Sequence, residues 1–193
     1  YTERRAAEID PAKVSEKVAP GVLARDEPSS TTSLSVVDRE GNMVALTQTI
    51  SDFFGAKVAI DGTGIILNNE MKNFSASGAN ALAPGKRMRT AIAPTLLLRD
   101  GRPFATLGTP GGARIISTMT LLVSNLVDYR MGIQEAIEAP RFYARDTDKV
   151  LAIEDRLSED AEKALTKMGY VVRRMGPYDM FFGGAQGIVV DPG

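Results

Sequence analysis

The 193-residue chain is 44% hydrophobic, carries 23 basic and 24 acidic side chains, and contains neither cysteine nor histidine. A net charge of −1 with no long block of one sign offers no electrostatic footprint for nucleic acid, and no apolar run approaches membrane-span length. The two missing residue types exclude, within this chain, a disulfide, a thiolate nucleophile, a Cys- or His-ligated metal site and a Ser-His-Asp triad.

In chain order, residues 1–17 are rich in Ala, Glu and Arg and predict short helical turns, broken at Asp10-Pro11. From Val18 to Thr32, the residues Pro20, Gly21, Pro28 and Ser29-Ser30-Thr31-Thr32 read as an exposed connector. The alternating stretches Ser33 to Asp38 and Met43 to Ser51, joined by Arg39-Glu40-Gly41-Asn42, predict a β-hairpin. Gly64 to Asn69 reads as a further short strand, and Pro94 to Arg99 with Phe104 to Leu107 as a second hairpin. Ile115, Met119, Leu122 and Leu126 fall at helical spacing and predict a long buried helix ended by Gly132. A short helix over Ile133 to Glu138 stops at Pro140, and Val150 to Glu154 reads as strand. A helix begins with acids at Ser158-Glu159-Asp160 and ends at Gly169; Val171 to Arg174 and Gly187 to Val190 are closing strands. The pattern predicts an α+β domain, helices packed on mostly antiparallel sheet, with basic pairs such as Arg173-Arg174 in solvent.

Without histidine or cysteine, hydrolytic chemistry needs a carboxylate pair, groups from another chain, or a hydroxyl with another base. The α-amino group of the same residue can serve once the peptide bond before it is cut. Such an amine has a pKa of roughly 7.7–8.0, so a useful fraction is neutral near pH 7, and its tether removes the entropy of recruiting a base. The site should lie where a loop enters a strand, as at Ser30-Thr31, although an ordinary Ser/Thr loop has the same composition. Gly108-Thr109-Pro110-Gly111-Gly112, ahead of the long helix, can aim backbone N–H groups at a developing oxyanion; a tight turn needing positive φ would read alike. A carboxylate pair, Asp38 and Glu40, is a third possibility, in a turn expected to face water.

Several ordered strings together resemble the γ-glutamyltransferase (γ-glutamyltranspeptidase) family in its small-subunit region. They are Thr31-Thr32-Ser33-Leu34-Ser35-Val36-Val37-Asp38, Gly64-Ile65-Ile66-Leu67-Asn68-Asn69-Glu70-Met71, Asn73-Phe74-Ser75, Pro94-Thr95, Gly108-Thr109-Pro110-Gly111-Gly112-Ala113-Arg114-Ile115-Ile116 and Glu138-Ala139-Pro140-Arg141. The similarity runs from about Thr31 to Asp191 in one register with one short deletion. It implies autocatalytic cleavage between Ser30 and Thr31, Thr31 as nucleophile assisted by its own amine, Thr49 as its supporting threonine, and Gly111 and Gly112 as the oxyanion hole. The implied fold is the four-layer α-β-β-α sandwich of N-terminal-nucleophile hydrolases, half of it from a large subunit of the same precursor. Residues 1–30 would then be the tail of that subunit or a linker, and residues 31–193 a catalytic small-subunit domain that continues beyond Gly193. No cofactor, metal, nucleic acid or membrane is implied.

The departures fall on substrate recognition. Where the family holds an α-ammonium with Asn, Gln or Glu, and Asp, this chain has Ser51, Glu70 and Asn73; where two serines hold an α-carboxylate, it has Thr90 and Ala91. Each charge-assisted hydrogen bond lost costs roughly 1.5–3 kcal/mol. Arg89 could supply another anion contact, and the deletion between Phe74 and Lys86 shortens a lid loop. The expected activity is hydrolysis of a small-molecule amide, γ-glutamyl compounds such as glutathione ranking first, with water favoured over an amino-acid or peptide acceptor. The alternatives are another carboxylate-bearing amide of oxamate or glutaryl-cephalosporin type, or a non-catalytic homologue serving as a binding subunit.

Overall fold

The computed structural model describes residues 30–144 and 148–190; the helical turns expected over 1–17 lie outside the described residues. The first hairpin pairs β1 (Thr31–Val37) with β2 (Met43–Thr49), antiparallel and without a bulge. Its turn is closed by Asp38, whose carboxylate accepts the Glu40 and Asn42 N–H groups at 3.0 and 2.8 Å and the Asn42 side-chain amide at 2.7 Å. The Asn42 side-chain and backbone donors hold this carboxyl below its ordinary pKa. Asp38 is therefore a turn cap, which leaves the Asp38/Glu40 pair without support as a hydrolytic centre.

A second sheet has the order β3-β4-β8, from β3 (Thr95–Arg99), β4 (Arg102–Gly108) and β8 (Gln186–Val189), all antiparallel. Along β4 the pleat sends alternate residues to opposite faces. Ala105 and Leu107 face α1 (Ile115–Val127) and α2 (Ile133–Glu138), forming a core with Ile115, Met119, Leu122, Leu126 and Ala136. Thr106 and Gly108 face the hairpin. The Thr106 hydroxyl donates to Val44 O at 3.0 Å, and a Cβ added to Gly108 would lie 1.9 Å from Ser33 Oγ. Small residues thus bring hairpin and second sheet into close face-to-face contact, with helices on the far side of the second sheet. The opposite face of the hairpin stays open: Leu34, Val36, Val44 and Leu46 are 41–52% exposed.

The third sheet, β5 (Phe142–Ala144), β6 (Val150–Glu154) and β7 (Val171–Met175), has an antiparallel β5–β6 pair and a parallel β6–β7 pair connected through α3 (Glu159–Lys167). Ser158 caps α3 by accepting the Ala161 N–H at 3.2 Å. Arg174, expected in solvent, instead ties β7 to α3 and the β6 end through Glu162 at 2.6 Å and Asp155 at 3.0 Å.

Several boundaries differ from the sequence reading. The expected strand over Gly64 to Asn69 is an irregular ribbon with a single bridge, Ala59 to Ile66, because Gly62 and Gly64 both take positive φ. The long helix ends at Val127 rather than near Gly132: Ser124 O receives the Asp128 and Tyr129 N–H groups and Asn125 O that of Met131. β5 was not anticipated; three residues after a proline carry too little alternation to read. β1 begins at Thr31, two residues earlier than expected, which places Thr31 within the paired strand.

Two measurements check this account. Leu122→Ala should lower unfolding free energy in denaturant by about 2–5 kcal/mol, as for a leucine truncated in a closed core. Asp38 stabilises the fold above the unfolded carboxyl pKa of about 3.9 and loses that contribution as pH falls through its lower folded value. The melting-temperature gap between the parent protein and Asp38→Ala should therefore be present at neutral pH and close in strong acid.

Candidate active site

The hairpin register sets Thr31 directly opposite Thr49. The Thr31 hydroxyl donates to Thr49 Oγ1 at 3.1 Å; Thr49 Oγ1 also receives the Ser51 N–H at 2.8 Å and donates to Ser30 O at 3.4 Å. A hydroxyl has one proton and two lone pairs, so Thr49 is fully used. The result is a chain of polarised O–H groups running from Thr31 Oγ1 to the carbonyl immediately before Thr31. Ser51 closes the other side, its own carbonyl accepting the Ser30 N–H at 2.8 Å. Ser51 does this with φ 74, a left-handed conformation that costs a non-glycine residue roughly 1–2 kcal/mol. That bend turns its N–H back on Thr49 and its C=O toward Ser30, the residue before β1.

The glycine turn approaches from the second sheet. Thr106 touches Val44, which pairs with Val36, while Gly108 touches Ser33. Two steps along β4 therefore carry the chain from the Val36 level to the Ser33 level, toward Thr31. The turn continues through Gly111, φ 141, and Gly112, φ 56, into a 3-10 turn over Gly112–Arg114 and then α1. Amides in a first helical turn have no intrahelical acceptor, so the turn that follows β4 presents backbone donors.

The remaining candidates gather around a 3-10 turn over Glu70–Asn73. The Asn73 amide donates to the Glu70 carboxylate, and its nitrogen lies 3.9 Å from Met88 Sδ. Asn80 joins two parts of this region, donating to Asn73 O at 2.7 Å and accepting the Arg89 N–H at 2.9 Å. Arg89 and Thr90 are exposed, and Thr90 Oγ1 accepts the Ile92 N–H at 3.1 Å. A clamp links this region to the end of β2. Asn69 accepts the Asp52 N–H at 3.2 Å and donates to its carboxylate at 2.6 Å; Lys72 pairs with the same carboxylate, and the Asn69 N–H reaches Ile50 O at 3.3 Å. Ser51 is thereby held between the Thr31–Thr49 pair and the Glu70–Asn73 turn.

The fold thus joins Thr31, Thr49 and Ser51 by direct hydrogen bonds, couples Glu70 to Asn73, and attaches the Arg89 backbone through Asn80. Sequence reasoning missed Asp52, Asn69 and Asn80 as organisers. Asn69 stood inside a quoted string, but Asp52 and Asn80 lie in loops where only tertiary contacts give a polar side chain its partner. Asp52→Ala should speed hydrogen exchange at the Asp52 and Asn69 amides while leaving the β4 amides protected, read by exchange mass spectrometry.

The family model for γ-glutamyltranspeptidase matches residues 1–193, and the chain belongs to that family. It is 40% identical over 184 residues to a glutathione hydrolase proenzyme of Pseudomonas sp. (strain A14), covering 88% of this chain and 32% of that protein. It is 41% identical over 176 residues to the Acylase ACY 1 proenzyme of Pseudomonas sp. (strain SE83), covering 90% of this chain and 31% of that protein. Among solved structures it is similar to a T380A mutant of Helicobacter pylori γ-glutamyltranspeptidase, with a TM-score of 0.77, 38% identity, and coverage of 84% of this chain and 92% of that one. The chain therefore spans about a third of the length of these two curated relatives.

Proposed function

We propose that this chain contains the catalytic part of a self-processing amidohydrolase that works through an acyl-enzyme on Thr31. The observation that carries this reading is the hydroxyl chain from Thr31 through Thr49 to Ser30 O, at the first residue of a rigid strand. In the precursor, Thr31 Oγ attacks the Ser30 carbonyl carbon while the Thr49 hydroxyl polarises its oxygen. As the Ser30 C–N bond breaks, the acyl group moves from nitrogen to oxygen and the hydroxyl proton passes to the freed Thr31 amine; water then hydrolyses the ester, releasing the Ser30 carboxylate and restoring the Thr31 hydroxyl.

In the processed enzyme that amine takes the Thr31 hydroxyl proton as Oγ attacks the substrate amide. The Gly111 and Gly112 N–H groups stabilise the oxyanion, the leaving amine departs with the proton, and water resolves the ester. Ser51, Glu70, Asn73, Arg89 and Thr90 line the acyl site. A γ-glutamyl compound such as glutathione ranks first, supported by the Glu70 carboxylate and by relatives named glutathione hydrolase. A glutaryl- or oxamate-type amide is the second reading. It is favoured by Asn73, which already engages Glu70, by Ala91, which cannot donate, and by a relative named an acylase. With an altered clamp and a shortened lid, hydrolysis is favoured over transfer to an amine acceptor.

The partner is a large subunit cut from the same precursor. The bare apolar face of the hairpin, Leu34, Val36, Val44 and Leu46, is where its helical layer would complete a four-layer α-β-β-α sandwich. Residues 1–30 then belong to that subunit or its linker, and residues 31–193 to the small-subunit domain.

N-terminal sequencing of the purified full-length protein should find a new terminus at Thr31. Thr31→Ala should remain one piece and lose amide hydrolysis, and incubation with substrate should leave an acyl adduct on Thr31 by mass spectrometry. The rate should rise with pH as an amine with a pKa near 7.7–8.0 loses its proton. Paired γ-glutamyl and glutaryl amides, differing only in the α-amino group, separate the two substrate readings. Folded protein with an intact Ser30–Thr31 bond and no adduct would mark a binding subunit instead.

A further inference from the structure

The glycine turn rests on a second stretch of main chain, residues 181–183. Gly183 has φ 84, and a Cβ there would lie 2.1 Å from Pro110 O and 2.7 Å from Thr109 Oγ1. From the other side, a Cβ on Gly111 would lie 3.4 Å from Gly183 Cα. Two backbones meet here with no side chain between them.

The 181–183 segment is held by three side chains acting on three successive carbonyls. Arg114 Nε donates to Phe181 O at 3.0 Å, the Thr118 hydroxyl to Phe182 O at 2.8 Å, and Arg141 Nη1 to Gly183 O at 2.9 Å. Arg141 Nη2 adds a bond to Ile137 O at 2.7 Å. Burial pulls the Arg141 pKa below its ordinary value, against the opposing pull of Glu154. A guanidinium placed there serves the backbone rather than a surface ion pair, and desolvating it is costly unless its donors are used.

The contact with Gly183 has a directional consequence. No cis peptide occurs among the described residues, so Pro110 O and the Gly111 N–H point opposite ways. Pro110 O faces Gly183 and accepts the Thr109 hydroxyl at 2.7 Å, which turns the Gly111 N–H away from the 181–183 segment. The Pro110–Gly111 plane turns on ψ of Pro110 and φ of Gly111, and a glycine restrains its φ weakly, so the restraint has to come from what touches the plane.

We propose that Gly183, held in place by Arg141, is a positioning residue for acyl transfer: it fixes the Pro110–Gly111 peptide plane and so aims the Gly111 N–H at the oxygen that gains charge. This rests on the assignment of Thr31 as nucleophile and of the glycine turn as its oxyanion hole.

The test uses the full-length precursor. Scission at Thr31 and melting temperature are recorded first for the parent, Gly183→Ala and Arg141→Lys. Then kcat, KM and two affinities are measured. One is for a boronic acid carrying the glutamyl or glutaryl chain, whichever amide the parent cleaves, which forms a tetrahedral adduct on a hydroxyl nucleophile; the other is for glutamate or glutarate, the free acid product, which does not. In Gly183→Ala, kcat should fall about 10²–10³-fold, as on losing one oxyanion donor. KM should move by no more than about threefold, since the lost interaction exists only in the transition state. Boronate affinity should fall with kcat and product affinity should hold; Arg141→Lys should show the same pattern at smaller amplitude.

Parent-like kcat and boronate affinity in folded, processed Gly183→Ala would overturn the proposal. So would boronate and product affinities falling in step, which marks general loosening. If Gly183→Ala does not mature, Arg141→Lys and Thr118→Val carry the comparison, and an unchanged ratio of boronate to product affinity in both overturns it. A parent that never acquires an acyl group on Thr31 instead defeats the underlying assignment.

Discussion

The register of one antiparallel pair governs this site. Because Thr31 stands opposite Thr49, two hydroxyls on neighbouring strands meet at hydrogen-bond distance, and the second reaches the carbonyl before the first. A slip of one residue would put the two side chains on opposite faces of the hairpin. The Asp38 turn cap at the far end and the bend at Ser51 at the near end both hold that register.

The second constraint is the thinness of the interface between hairpin and second sheet. Sheets usually stack about 10 Å apart, a spacing set by interdigitating side chains. At Gly108 the backbone instead lies directly against the small side chain of Ser33. This brings the strand that leads into the glycine turn against the strand that begins at Thr31. The same economy recurs behind the turn, where Gly183 meets Pro110 and Gly111. The main chain on the far side of that contact is itself fixed by side chains of α1 and of the segment after α2, which bond to Phe182 O and Gly183 O.

Much of the fold was legible because it follows from short-range rules. Alternation marked both hairpins and the Leu122 face of α1 emerged from helical spacing; Ser158 capped the helix expected after it. The failures share one cause. Gly64 to Asn69 has strand-like composition, but two positive-φ glycines break the ladder. Arg174 resembles a surface arginine until β7 lies beside α3 and Glu162 is in reach. β5 exists only because β6 offers it an edge.

For the site, residue types alone settled which mechanisms this chain cannot build by itself: with no histidine and no cysteine, a hydroxyl in it must find another base. The ordered motifs named the residues of interest, because each is a local string. What those strings do not contain is distance. That Thr49 accepts from Thr31, that Asp52 and Asn69 clamp Ser51 beside Glu70, and that Arg141 supports the backbone behind Gly111 are contacts between residues far apart in the chain. Such contacts depend on how sheets stack and loops cross, and local propensity carries no information about them.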